Sequence, residues 1–188
     1  MRTPTLLPVV LLALTACVTG EPSGDLDLHE LAAREPKSAA VLPFSGTDGY
    51  PRVTADWIAF RLAERGRLSV VTAERSGLLL RDAKLAWPDD ADPPPETVRA
   101  VAALLHADFL VGGRTAPKDE HGEQRLGYVV AISVWDGATG RLAGRTIATP
   151  PPVMTHGDYT LTKNSANHAA ECVLHGLGIA PAEPPQGE

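Results

Sequence analysis

Ala39-Ala40-Val41-Leu42-Pro43-Phe44 is a short apolar run that closes in a loop, Ser45 to Tyr50. A run of that length bounded by turn residues reads as a buried strand. Pro43 has no N–H to give to a ladder, so the strand must end there or meet a sheet edge. Downstream, residues 53–65 read as a helix, with Ala55, Ile58 and Leu62 on one face, Trp57 beside them, and Arg61, Glu64 and Arg65 outward. Leu68 to Thr72 reads as a second strand, Ala73 to Lys84 as a short helix, and AWPDDADPPP (86–95) as a loop. Pro95 suits a first helical residue, and Val98, Val101, Ala102 and Leu105 repeat at helical spacing behind it.

Asp108 to Arg114 gives a third strand, ending in Gly112-Gly113. Residues 115–125 are polar and read as a hairpin loop before a long strand, Leu126 to Trp135. Asp136-Gly137-Ala138-Thr139-Gly140 has the glycines a tight turn needs, and Arg141 to Thr149 is the return strand. Pro150-Pro151-Pro152 breaks the sheet, and Asp158 caps a last helix over about 159–176. The order β-α-β-(α)-α-β-β-β-α predicts an α/β (α+β) domain: a single mixed β-sheet of about five strands with helices packed on it.

The chain begins as a targeting segment. Arg2 supplies a positive end, and Leu6 to Leu14 is apolar apart from Pro8. The segment falls short of the ~20 apolar residues that span a bilayer. Leu14-Thr15-Ala16-Cys17 follows, with a small residue before the cut and a nucleophilic sulfur after it. It resembles the lipobox of bacterial lipoproteins, in which the cysteine takes a diacylglycerol. The plainer alternative is an ordinary secretory leader with a chance cysteine. The expected organisation is a signal peptide at 1–16, a lipidated tether at 17–37, a domain at 38–179 and a disordered tail at 180–188. The tether, about 20 residues of flexible coil, would have an r.m.s. reach of about 25 Å. Val18, rather than Asp, follows the cysteine, which by analogy with enterobacterial sorting favours the outer membrane, facing the periplasm.

Removing residues 1–16 from the 188 leaves 172, enough for one domain with its own core. The formal net charge is −6, or −7 once Arg2 is gone, with no Lys/Arg cluster. That excludes the basic patches that nucleic acids and anionic lipid surfaces require. Cysteine occurs twice, so a lipidated Cys17 leaves Cys172 without a disulfide partner.

Four segments carry a family resemblance. They are Val41-Leu42-Pro43-Phe44; Val70-Val71-Thr72-Ala73-Glu74-Arg75-Ser76 followed by Leu78-Leu79-Leu80; Ala107-Asp108-Phe109-Leu110-Val111-Gly112-Gly113; and Val134-Trp135-Asp136 with Thr139-Gly140. In this order they resemble the group of the curli-secretion-channel and penicillin-binding-protein-activator lipoproteins, to which the amino-terminal domain of the Tol-system propeller protein is similar in fold. The resemblance covers roughly 39–148 and implies binding and assembly rather than chemistry. Two departures matter. Only 126–149 offers a long hairpin, where a pore needs strand pairs of about 9–11 alternating residues. The tether is also shorter than the activators use, which favours a partner near the membrane.

Candidate chemistry is sparse. His168, Cys172 and His175 share a stripe on the last helix at spacings that zinc ligands use, with His156 the nearest fourth donor. The bland reading is a stripe bordering the core, with Cys172 a small buried hydrophobe. Gly46-Thr47-Asp48-Gly49 lies between strand and helix, where a phosphate can sit, but there is no P-loop lysine, and a turn explains the glycines. Asp89, Asp90 and Asp92 lack the spacing of a calcium loop and read as a solvated acidic stretch. No Ser/His/Asp set stands out.

The sequence therefore points to a non-enzymatic, lipid-anchored envelope protein that binds another protein and uses no cofactor. The alternatives are an oligomeric subunit of an envelope secretion or surface-assembly machine, and a small metal- or ligand-binding lipoprotein. The hairpin 126–149 is the expected contact surface. On it, Tyr128, Val130, Ile132 and Val134 share a face expected to be buried, and Trp135 shares the other with Val129, Ala131 and Ser133. Trp135 is thus the expected exposed anchor for a partner.

Overall fold

A computed structural model describes residues 26, 28–46, 50–88, 92–120, 124–148 and 158–179. The signal peptide, Cys17, residues 47–49, Asp89, Asp90, His156 and the tail 180–188 lie outside the described residues.

The elements run α1 (His29–Ala32), β1 (Ser38–Val41), β2 (Ser45–Gly46), α2 (Tyr50–Gly66), β3 (Ser69–Val71), α3 (Ala73–Asp82), α4 (Pro95–Leu105), β4 (Phe109–Glu120), β5 (Gln124–Asp136), β6 (Leu142–Ala148) and α5 (Asp158–Gly176). One mixed sheet has the order β3-β1-β4-β5-β6, with the two-residue β2 pairing on β4. β1 is parallel to β3 and β4, while β4, β5 and β6 form an antiparallel meander. The fold class read from the sequence is the one observed.

Side chains alternate across the sheet and feed two cores. Ala39, Val41, Phe109, Val111, Val130, Ile132, Val134 and Ala148 meet α2 and α5 on one face. Ala40, Leu42, Leu110 and Trp135 meet α3 and α4 on the other. Local signals set the helix ends. Thr72 Oγ1 accepts from the N–H of Arg75 to cap α3. Pro95 opens α4, and His106, left-handed at φ 51°, closes it. Gly140 is also left-handed, at φ 73°, and a Cβ there would lie 2.1 Å from the Pro95 carbonyl oxygen, so only glycine fits this turn.

Two expectations are corrected. Most of the polar stretch is ladder rather than loop: β4 runs on through 115–120 to Glu120 and β5 begins at Gln124, while 121–123 lie outside the described residues. Pairing along a partner strand overrides the low strand propensity of Pro117-Lys118-Asp119-Glu120. Gly112-Gly113 does not end the strand; Gly113 lets β4 approach Ala131 of β5 and Phe44, where a Cβ would sit 2.1 Å from the Ala131 oxygen.

The core also draws on residues before Ser38. Leu28 and Leu31 are buried in the core beside α5, so residues assigned to the tether belong to the domain. A helical turn or two around Asp25 to Arg34 is what the sequence there allows, and α1 is such a turn; the burial of Leu28 and Leu31 depends on α5, far along the chain.

Two carboxylates fasten this segment. Asp108 Oδ2 accepts from the N–H groups of Lys37 (2.7 Å) and Ser38 (2.9 Å) and from Ser38 Oγ (3.0 Å). Asp136 holds Arg34 at 2.5 Å and accepts from Thr139 Oγ1 at 2.6 Å. Burial pushes each carboxyl up. For Asp108 the Lys37 and Ser38 donors with nearby Arg34 outweigh it, and for Asp136 the Arg34 and Thr139 donors and the Ala138 N–H do so. Both end below the ordinary 3.8.

A folded-state pKa below the unfolded one contributes stability that is present above the unfolded value and lost as pH falls through the folded one. The domain should therefore lose stability below about pH 4. The denaturant midpoint of Asp136→Asn, followed against pH, should fall less steeply there than that of the wild type. Leu110→Ala and Leu31→Ala should each cost about 2–5 kcal/mol, seen as a fall in Tm of roughly 5–15 °C. An unchanged Tm for Leu31→Ala would return that segment to the tether.

Candidate interaction surface

Trp135 is not exposed. It is 6% accessible and packs in the second core with Ala40, Leu42 and Leu110. Trp87 meets it edge-on at 5.0 Å, and the absence of a side chain at Gly112 leaves room for its ring. Alternation assigned its face correctly, since Val130, Ile132 and Val134 are buried on the opposite side. The error lay in taking the second face as wet. At this end of β5 the α3–α4 layer covers it, as happens when helices lie on both faces of a sheet.

That cover stops short of β6. Leu142 (39%) and Ile147 (42%) are exposed, and Arg145 lies open, bonded to Ser133 Oγ at 3.1 Å and paired with Asp92. Among the described residues no strand pairs with the outer edge of β6.

A second open edge lies further along the hairpin. The last β2 pair on β4 is Gly46↔Thr115, and the last β6 pair on β5 is Val130↔Ala148. Beyond them β4 and β5 continue as a ribbon, from Ala116↔Val129 through Pro117↔Tyr128 and Asp119↔Arg125 to Glu120↔Gln124, with a register shift between Pro117 and Asp119. Among the described residues both flanks of this ribbon carry no neighbouring strand.

The stripe on α5 is brought together only loosely. His168, Cys172 and His175 line one cavity of about 380 Å³ with Leu26, Thr146, Glu171 and Gly176. Yet among the described residues no three His, Cys, Asp or Glu side chains are placed to hold a metal ion. Positions seven apart on a helix are about 10 Å apart along its axis. Glu171 is engaged with Arg65 at 3.0 Å. Burial, then the charge of Glu171, pushes the Cys172 thiol up, away from the thiolate a metal needs. Thr146 Oγ1 and His168 Nε2 are buried and have no hydrogen-bond partner among the described residues.

One surface feature was missed. Trp57 and Phe60 on α2 meet edge-on at 5.6 Å, Lys163 Nζ lies 4.2 Å over the Trp57 ring, and Phe60 is 50% exposed. Val53, Trp57 and Phe60 repeat at helical spacing as a second apolar stripe beside Ala55, Ile58 and Leu62, and that repeat was the available signal.

No protein-family model and no curated protein matches the chain. Solved structures similar to it include members of the envelope group that its motifs resemble. TolB from Acinetobacter baumannii is 12% identical with a TM-score of 0.48, over 78% of this chain and 29% of that one. The chain thus spans less than a third of TolB. The PelC dodecamer from Paraburkholderia phytofirmans is 14% identical with a TM-score of 0.48, over 77% of this chain and 89% of that one. The LpoB C-terminal domain from Escherichia coli is 12% identical with a TM-score of 0.40, over 66% and 98%.

Burial of Trp135 changes what its removal should do. Trp135→Ala should cost about 3–5 kcal/mol of stability, read as a lower denaturant midpoint. A midpoint within error of the wild type would return Trp135 to the surface.

Proposed function

We propose that this protein is a non-enzymatic, lipid-anchored protein-binding module of the bacterial cell envelope. In this reading Cys17 carries the lipid at the outer membrane, the domain faces the periplasm, and a partner protein docks on the β4–β5 ribbon. The observation that carries the reading is the ribbon itself. It is a pair of strands running past every other strand of the described sheet, with backbone donors and acceptors along both flanks. Such edges are where another chain adds a strand, through main-chain bonds that need no particular side chains. An isolated two-stranded ribbon is marginal in water, so a third strand stabilises it as well as binding to it. The lipobox-like Leu14-Thr15-Ala16-Cys17 supports the anchor, and the sequence offers no catalytic set.

A second reading has the chain assemble with copies of itself. The edge of β6, which pairs with no further strand among the described residues, favours it, because Leu142 and Ile147 leave two large apolar side chains in solvent beside that edge. Analytical ultracentrifugation of the domain separates the two readings.

The ribbon is tested by replacing residues 117–128 with Asn-Gly, which closes Ala116 and Val129 with a two-residue turn. In the intact protein a photo-crosslinker at position 119 or 125, but not at Arg67, should capture the partner; the shortened protein should keep its Tm within a few degrees and no longer co-purify that same partner from solubilised membranes. A partner that still co-purifies after the replacement sinks the ribbon as the docking element. The anchor is tested by Cys17→Ser, which should abolish partitioning into the detergent phase, since a hydroxyl is a far poorer nucleophile than a thiol. Wild-type protein that stays in the aqueous phase ends the lipoprotein reading.

A further inference from the structure

The domain has two poles. At one, Ser38 pairs with Ser69 at the start of β3, and Asp108, just before β4, bonds the N–H of Ser38. α1 lies there too, with Arg34 on Asp136 at the end of β5. α2 and α5 run side by side in the same direction, as Lys163 over Trp57, Arg61 on Asn167 and Arg65 on Glu171 show. Both helices end at this pole, where the backbone of Leu26 lies against Gly176. The chain from Cys17 therefore enters the domain here. β4 runs away from this pole and β5 returns to it, so the ribbon stands at the opposite one.

Lengths turn this polarity into a reach. β4 has 12 residues, Phe109 to Glu120. At about 3.3 Å per residue it spans about 35 Å. Cys17 and Leu26 are nine residues apart. That chain extends to at most about 30 Å, with an r.m.s. length of about 17 Å as flexible coil.

We infer that the ribbon meets a partner held away from the anchoring membrane: a protein strand roughly 25–35 Å above the lipid surface, not one lying in or on the bilayer. This rests on the lipid-anchor reading. Standing the inverted domain on the tip of the ribbon would require the tether to run back the length of β4, beyond its full extension, and a domain tipped on its side is what equal transfer in the experiment below would report. The short tether thus does not confine the partner to the membrane surface, because the body of the domain supplies the reach.

Energy transfer on the lipidated protein tests the inference, in phosphatidylethanolamine/phosphatidylglycerol vesicles carrying an acceptor lipid. A donor dye is placed on Glu30→Cys at the tether pole, or on Asp119→Cys or Gln124→Cys at the ribbon, each with Cys172→Ala. Transfer from position 30 should exceed that from 119 and 124 by at least about twofold, as their separation implies. Equal transfer, or more from the ribbon, overturns the inference and leaves the anchor reading standing. A protein that remains in solution, with no transfer from any position, overturns both.

Discussion

Phe109, Leu110 and Val111 are consecutive and none is accessible to solvent. Consecutive strand residues point to opposite faces, so a strand with no wet side needs a packed layer on each. That demand organises the rest of the described fold. Phe109 and Val111 draw α2 and α5 onto one face, and Leu110 draws α3 and α4 onto the other. The parallel pairing with β1 follows, because strands buried on both faces are joined through covering helices. The meander starts where β4 turns back as β5, and on the α3–α4 face the helical cover ends before β6, whose Leu142 and Ile147 stay in solvent.

The polar groups are arranged around the same strand. The chain must leave β5, turn, and also bring its amino-terminal segment against α5 without stranding backbone donors. Asp108 meets the donors of Lys37 and Ser38, and Asp136 meets those of the turn together with Arg34. Both carboxylates lie at the same end of the β4–β5 ladder, and Asp136 alone serves both tasks, fastening the amino-terminal segment through Arg34 and closing the β5–β6 turn through Ala138 and Thr139. This explains how residues ahead of the first strand, Leu28 and Leu31, are held in the core.

How much of this was legible in the sequence depends on range. Val41 and Leu110 announced central strands through short apolar runs, and Pro95 announced the start of α4, because strand burial and helix starts are written in neighbouring residues. The face of Trp135 was legible for the same reason. Its burial was not, since that depends on α3, α4 and Trp87, which are distant in the chain. The ribbon was hidden for a related reason. Pro117-Lys118-Asp119-Glu120 has the composition of a loop, and only its ladder with Gln124 to Tyr128 makes it strand. The α5 stripe is the converse case, since helical spacing placed His168, Cys172 and His175 on one cavity but says nothing of whether three donors converge.

An exposed ribbon is a hazard as well as a surface, because open edges recruit any strand. Its sequence counters this. Pro117 has no N–H to offer a ladder, the register shift beside it interrupts the pairing, and the same stretch of sequence holds charged residues of both signs, Lys118, Asp119, Glu120 and Arg125. Each device weakens indiscriminate pairing without closing the edge to a strand that matches the charges and skips the shift. A connection needing no contacts would be expected as a two-residue turn directly after Ala116 and Val129, with no edge to guard. Keeping a long, polar pair of strands instead is what the proposed strand addition at this edge would require.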